Sequence, residues 1–304
     1  MFGRLHLINY AKTVFSMSIH TFLATVGYLN GVTIRKTFLY AWRRSLTGLS
    51  AQIAFHSMLA LFPAILTLLT AIGLLEKSLS STLPNLAIQL ELVIPNQVWQ
   101  VLDNFAEQVR LDSGKSWLSL SFFMAIWISS GALSAAMKAM DYIYRVPIRY
   151  QRPFWKAKLI SLILTLGAIL LLIIASLLTF IGNWFISLVV MTTGITLLTT
   201  LWKLIIPPVT LGLVATAFGL IYRFGVSRRK PGTPIVTGAI LAAISWAGVS
   251  SLFRLYFTNF LYYNKIYGAV GALIILMLWL YMSCLVMLLG AQLNATVGEA
   301  MKNR

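Results

Sequence analysis

The sequence predicts an all-α fold: a polytopic membrane bundle of about six transmembrane helices, with amphipathic helices at the N-terminus and one outer helical loop. Three observations predict it. Hydrophobic residues make up 59% of the 304 positions and charged residues only 10%, against roughly a quarter charged in an ordinary soluble domain. Six uncharged runs reach about 20 residues, the length that crosses a hydrocarbon core about 30 Å thick. A chain of 304 residues cannot supply enough polar shell to bury six such runs in water. The third observation is that Lys and Arg alternate between the loops on the two sides of those runs.

The first 50 residues read as a cytoplasmic or interfacial helical segment. Residues 13–34 are uncharged, yet Ser, Thr, His and Asn dilute them. They are expected to lie on the inner surface or pack on the bundle rather than form a seventh span. No A-x-A cleavage pattern follows them, so a removed signal peptide is not expected. From Thr37 to Leu49, apolar Phe38, Leu39, Trp42, Leu46 and Leu49 alternate with Arg43 and Arg44. That pattern suits an amphipathic helix on an anionic leaflet.

Residues 51–298 read as one membrane domain, with spans at 51–75, 117–137, 159–182, 204–222, 233–253 and 266–294, followed by a cytoplasmic tail, 299–304. Pro63 is expected to bend the first span. Pro207 and Pro208 are expected in the first turns of the fourth, where missing donors cost least. Trp117, Trp155, Trp184, Trp202 and Tyr222 fall near span ends, as interfacial anchors do. Gly131, Ala135 and Ala139, and likewise Ala239, Ala243 and Ala247, repeat at four-residue intervals that let helix backbones approach. The long outer segment from Glu76 to Ser116 carries Val98, Val101, Leu102, Phe105 and Val109 at helical spacing, with Asn96 placed to cap them.

Eighteen of the 24 Lys and Arg residues fall on the side of the two termini and six on the other. Both termini are therefore expected in the cytoplasm of a bacterial inner membrane. This placement accounts for the net charge of +17, so no nucleic-acid partner is required.

Residues suited to chemistry are few. His6, His20 and His56 have no metal-ligand spacing, and no phosphate-cradling Gly-rich motif or Gly-x-Ser-x-Gly occurs. No metal, cofactor or enzymatic activity is expected. A polar crevice is the alternative. Gln52, His56 and Ser57 share the first span with Pro63. Asp141 lies just past the second span, at i, i+4 from Arg145, where a simple helix pair is expected. Asn264 lies just before the last span, and Gln292 and Asn294 end it, where capping or interhelical hydrogen bonding is the expected role of the latter two.

Four blocks together carry a resemblance. FHSMLALFPAILTLL (55–69), GALSAAMKAMDYIYRV (131–146), PGTPIVTGAILAAISW and YNKIYGAVGALIILMLWLYMSCLVMLLGAQLN occur in the order and spacing of the YihY/BrkB family. The chain resembles that family over roughly residues 35–298. The resemblance implies a bacterial inner-membrane protein with about six spans and a role in envelope lipid handling. Members have carried a ribonuclease label, but the clustered His and Asp ligands of a metal-dependent nuclease are missing from this sequence. Gln292 stands where an acid is frequent in the family and Asp141 where an amide is frequent, which argues against proton coupling through a last-span carboxylate. The expected function is transport of an amphipathic envelope lipid in a flippase-like manner, with membrane lipids as partners. The alternative is a non-transporting scaffold for envelope assembly, acting through the outer loop.

Overall fold

The computed structural model describes residue 25 and residues 27–76, 115–193, 197–229, 232–260 and 264–302. Within these, the side chains of 62–76, 115–123 and 256–270 and a few single positions fall outside the description. Seven α-helices follow in order among the described residues: α1 Gly31–Arg43, α2 Leu46–Glu76, α3 Lys115–Ile143, α4 Phe154–Thr193, α5 Leu197–Gly225, α6 Val236–Phe260 and α7 Asn264–Lys302. One 3-10 turn, Ile148–Tyr150, precedes α4. Each of α2 to α7 corresponds to a predicted span and contains it, except that α6 begins at Val236, three residues after the predicted start at 233. Stretches of α4, α5, α6 and α7 are long and apolar enough to cross a membrane. The expected outer helix at 96–109 and most of the expected helix at 13–34 lie outside the described residues.

The amphipathic segment is one helix, and it starts earlier than its apolar pattern suggests. Asn30 caps α1 by accepting the Thr33 N–H at 2.9 Å, a bond that satisfies one of four orphan donors. Thr33, Thr37 and Ala41 form its buried face against the bundle. Val32, Ile34, Phe38 and Trp42 point outward, Trp42 at 84% exposure. An exposed apolar face beside Arg35, Lys36 and Arg43 suits a helix lying in a headgroup layer. Leu46 and Leu49, expected on this helix, belong to α2 instead. The chain turns at Ser45, whose φ of 49° is left-handed and ends α1 where glycine is the commoner choice.

The core sits at one end of the bundle. Ala54, Ala136, Ala139, Met140, Tyr222 and Leu288 are all buried there. The same end carries Arg44, Arg145, Arg149, Arg152, Arg228 and Arg229, and is termed the basic end below. Toward the other end, α4 and α5 present exposed apolar chains such as Leu172, Trp184, Met191 and Leu204. Lipid, with the same polarity, covers such surface in a membrane protein.

Further expectations need correction. α4 begins at Phe154 rather than 159, because Phe154 and Trp155, both exposed, can face lipid from the first turn. Lys156 and Lys158 are thus helical rather than in a loop. α5 begins at Leu197, so Pro207 and Pro208 sit about three turns inside it at ~3.6 residues per turn; the apolar residues before them sustain the helix where water cannot replace its hydrogen bonds. Tyr222 is no interfacial anchor, since it is 0% exposed and its hydroxyl donates to the Met287 carbonyl at 2.7 Å. The Asp141–Arg145 pair does not form. α3 ends at Ile143, Arg145 takes a left-handed φ of 52° and its guanidinium lies over the Tyr40 ring. α2 runs unbroken as α-helix through Pro63.

Candidate functional site

Two polar assemblies lie on this frame. The first is a clasp of helix ends at the basic end. A helix C-terminus leaves carbonyls without donors and carries partial negative charge. Arg44 resolves this for α3: its Nη1 donates to the Ile143 carbonyl at 2.5 Å and to Gln292 Oε1 at 2.7 Å. Gln292 in turn donates through Nε2 to Thr296 Oγ1 at 3.0 Å. Arg152 does the same for α5, donating to the carbonyls of Phe224 at 2.7 Å and Val226 at 2.9 Å.

Asp141 holds the strand of chain that leaves α5. Its Oδ1 accepts the Ser227 N–H at 2.7 Å and its Oδ2 the Ser227 hydroxyl at 2.6 Å. Asn294 caps α6 from a different helix. Ile235 precedes Val236 and has no polar side chain, so Asn294 Oδ1 accepts the Gly238 N–H at 2.8 Å while Nδ2 donates to the Ile235 carbonyl at 3.1 Å. That is the bond an N-cap side chain makes, supplied by α7. The crossing is close: a Cβ on Gly238 would meet the Gly290 carbonyl and the Asn294 amide, and one on Gly290 would stand 2.5 Å from the Tyr222 hydroxyl.

Charge at the clasp is only partly balanced. Burial lowers the Arg44 pKa, Arg145 adds to that, and Glu299 opposes it. Arg44 Nη2 is buried without a hydrogen-bond partner. Burial raises the Tyr144 phenol, with Arg229 acting in the opposite sense. Among the described residues no group of three or more His, Cys, Asp or Glu gathers.

The clasp brings together Asp141, Gln292 and Asn294 of the sequence-predicted site. It does not include the α2 residues. Gln52 is exposed. His56 is half-buried, in edge contact with Phe55, and its Nδ1 faces Gly131 of α3. The Ser57 hydroxyl donates to the Ile53 carbonyl of its own helix at 2.9 Å and neighbours Cys284. The side chains of Pro63 and Asn264 lie outside the described residues; Asn264 opens α7.

The second assembly is a polar seam between α3 and α4. The Ser134 hydroxyl meets Ser161 at 2.9 Å, and Ser161 donates to the Lys158 carbonyl at 2.8 Å. Lys158 Nζ donates to the Trp127 carbonyl at 2.9 Å and to Ser130 Oγ at 2.6 Å, and stands 4.3 Å from the centre of the Trp127 ring. This seam is hidden at the level of sequence because Lys158 falls in the expected loop before the third span. A signal was present: Ser130 and Ser134 are four apart, and Lys158, Ser161 and Thr165 recur at three and four, so each set shares a helix face.

Comparison with known proteins fits this architecture. The profile described as Virulence factor BrkB matches residues 37–304. A Bacillus subtilis protein, YfkH, named as ribonuclease-like, is 26% identical over 83% of this chain and 90% of its own length. A UPF0761 membrane protein of Aliivibrio fischeri strain ES114 is 26% identical over 84% of this chain and 79% of its own. One from Tolumonas auensis reaches 49% identity over 67 residues, 22% of each chain. No solved structure matches. A profile match running from the last part of α1 to the end of α7, over a bundle of apolar helices, makes this chain a multi-pass membrane protein of the BrkB family.

Proposed function

We propose that the protein moves an amphipathic envelope lipid between leaflets of a bacterial inner membrane, in a flippase-like manner and without enzymatic turnover. One observation carries this reading: the α3–α4 seam sets hydroxyls and an ammonium beside lipid-facing surface, where Trp127 is 44% and Met124 52% exposed. Polar groups on such a face offer a headgroup a path that the flanking Leu and Ile surface denies it. The excess of Lys and Arg at one end supports a cytoplasmic basic end. The saturated clasp favours a second reading, a rigid scaffold for partner proteins, because it spends nearly every polar group on holding helices together.

The test is transbilayer movement of headgroup-labelled phosphatidylglycerol in vesicles holding the purified protein, read by a quencher confined to the outside. The proposal expects quenching to proceed beyond the outer-leaflet pool. Quenching that stops at the level of protein-free vesicles would favour the scaffold.

A further inference from the structure

We propose that Lys158 is the seat of an anionic lipid headgroup, a phosphoanion that enters sideways from the bilayer between α3 and α4. The inference deepens the transport reading and rests on it for the lipid's route, while the seat itself rests on geometry.

A lysine near a helix end in a membrane ordinarily extends its ammonium toward water. Lys158 does the reverse. α3 and α4 run antiparallel, with Ser134 level with Ser161 and the Ile143 end of α3 and the Phe154 start of α4 both at the basic end. Ser130 and Trp127 are therefore deeper than Ser134. The Trp127 carbonyl lies about 24 Å along α3 from Ile143, at ~1.5 Å per residue. By bonding to that carbonyl and to Ser130, the ammonium is directed inward, away from the basic end.

Its charge is unanswered there. The acids whose side chains are described are Asp141 and Glu299. Asp141 gives both oxygens to Ser227, and Glu299 belongs to the far end of α7 beside Arg44. Among the described residues no carboxylate pairs with Lys158. An ammonium has three donors; two are bound to neutral oxygens, and no described residue takes the third. The Trp127 ring adds a cation–π contact but no negative charge. Ser130 is 0% exposed, so it fixes the ammonium from behind, while the half-buried Lys158 and the exposed Trp127 leave the front open to lipid. A positioned cation with a free donor, an aromatic wall and a lipid-facing mouth suits a phosphodiester whose acyl chains stay in the bilayer.

The experiment is native mass spectrometry of the full-length protein released from neutral detergent. It compares retained phosphatidylglycerol with phosphatidylcholine, which has the same phosphodiester but a cationic head. Wild type is expected to favour phosphatidylglycerol by about tenfold, because the choline cation of phosphatidylcholine sits beside the same phosphate and is repelled by the Lys158 ammonium. Lys158→Met should bring the ratio close to one and Lys158→Arg should keep it. Ser130→Ala, which frees the ammonium from its anchor, should lower it severalfold. Arg149→Gln, at the exposed surface, should leave it unchanged. Lys158→Met should also unfold at the wild-type temperature or above it, because it removes an unpaired cation from an apolar site. An unchanged preference in folded Lys158→Met, or in Ser130→Ala should Lys158→Met not fold, would overturn the seat. Displacement of phosphatidylglycerol by millimolar inorganic phosphate would reassign the seat to a free anion and overturn the lipid assignment. Retention with no transbilayer movement would leave the seat standing and remove the transport reading. Movement with no Lys158-dependent retention would do the opposite.

Discussion

Gly290→Val is expected to separate α6 from α7 at the basic end and to cost roughly 3 kcal/mol of stability, the upper range for overpacking a close contact. Even a single Cβ at Gly290 would stand 2.5 Å from the Tyr222 hydroxyl, 2.7 Å from the Gly238 carbonyl and 2.8 Å from the Ala242 methyl. Two of these three neighbours are backbone or a methyl on backbone, which have little room to yield. The Tyr222 hydroxyl is itself tied to the Met287 carbonyl. Gly248→Val, in the same α6 but with open space around its Cβ position, is the control and should unfold within about 0.5 kcal/mol of the wild type once the helix propensity change is counted. The measurement is the unfolding midpoint of both variants in the same detergent.

The contrast between these two glycines shows what the sequence made legible. Apolar runs, alternating cations and small residues at four-residue spacing state the number of helices, because each reports a local property of one segment. Ala239 and Ala243, marked by spacing alone, are buried at 3% and 0%. Helix ends were less legible, because they depend on partners distant in sequence. Nothing around Ile235 shows that its helix is capped by Asn294, 59 positions away. Nothing around Asp141 shows that Ser227 outcompetes the local Arg145. Lys158 is illegible for a different reason: a cation next to an apolar run looks like a flanking anchor until the direction of its side chain is known.

The second large effect is expected at Arg44. Arg44→Met leaves the Ile143 carbonyl and Gln292 Oε1 without the donor they now share. Each buried acceptor so orphaned costs about 1–3 kcal/mol, and the loss of the unpartnered Nη2 returns part of that. A net destabilisation of roughly 3 kcal/mol is the expected result, read by unfolding midpoint. Gln292→Met added to Arg44→Met should recover part of the loss, since an apolar pair leaves one orphan fewer. Gln292→Glu in the wild-type background should be tolerated, as the carboxylate would meet the guanidinium directly.

The two assemblies divide the labour. The clasp fixes three helix ends, those of α3 and α5 and the start of α6, with side chains that are nearly all spoken for. The seam keeps one cation facing lipid with a donor to spare. On this proposal the headgroup binds in the seam and not on the arginine-rich surface. Photocrosslinking with a phosphatidylglycerol that carries a photoreactive group on its glycerol headgroup tests this most directly, with adducts mapped by peptide mass. Adducts are expected in 124–134 and 158–165, and are expected to disappear in Lys158→Met. Adducts confined to 145–156 and 223–229, and indifferent to Lys158, would contradict it.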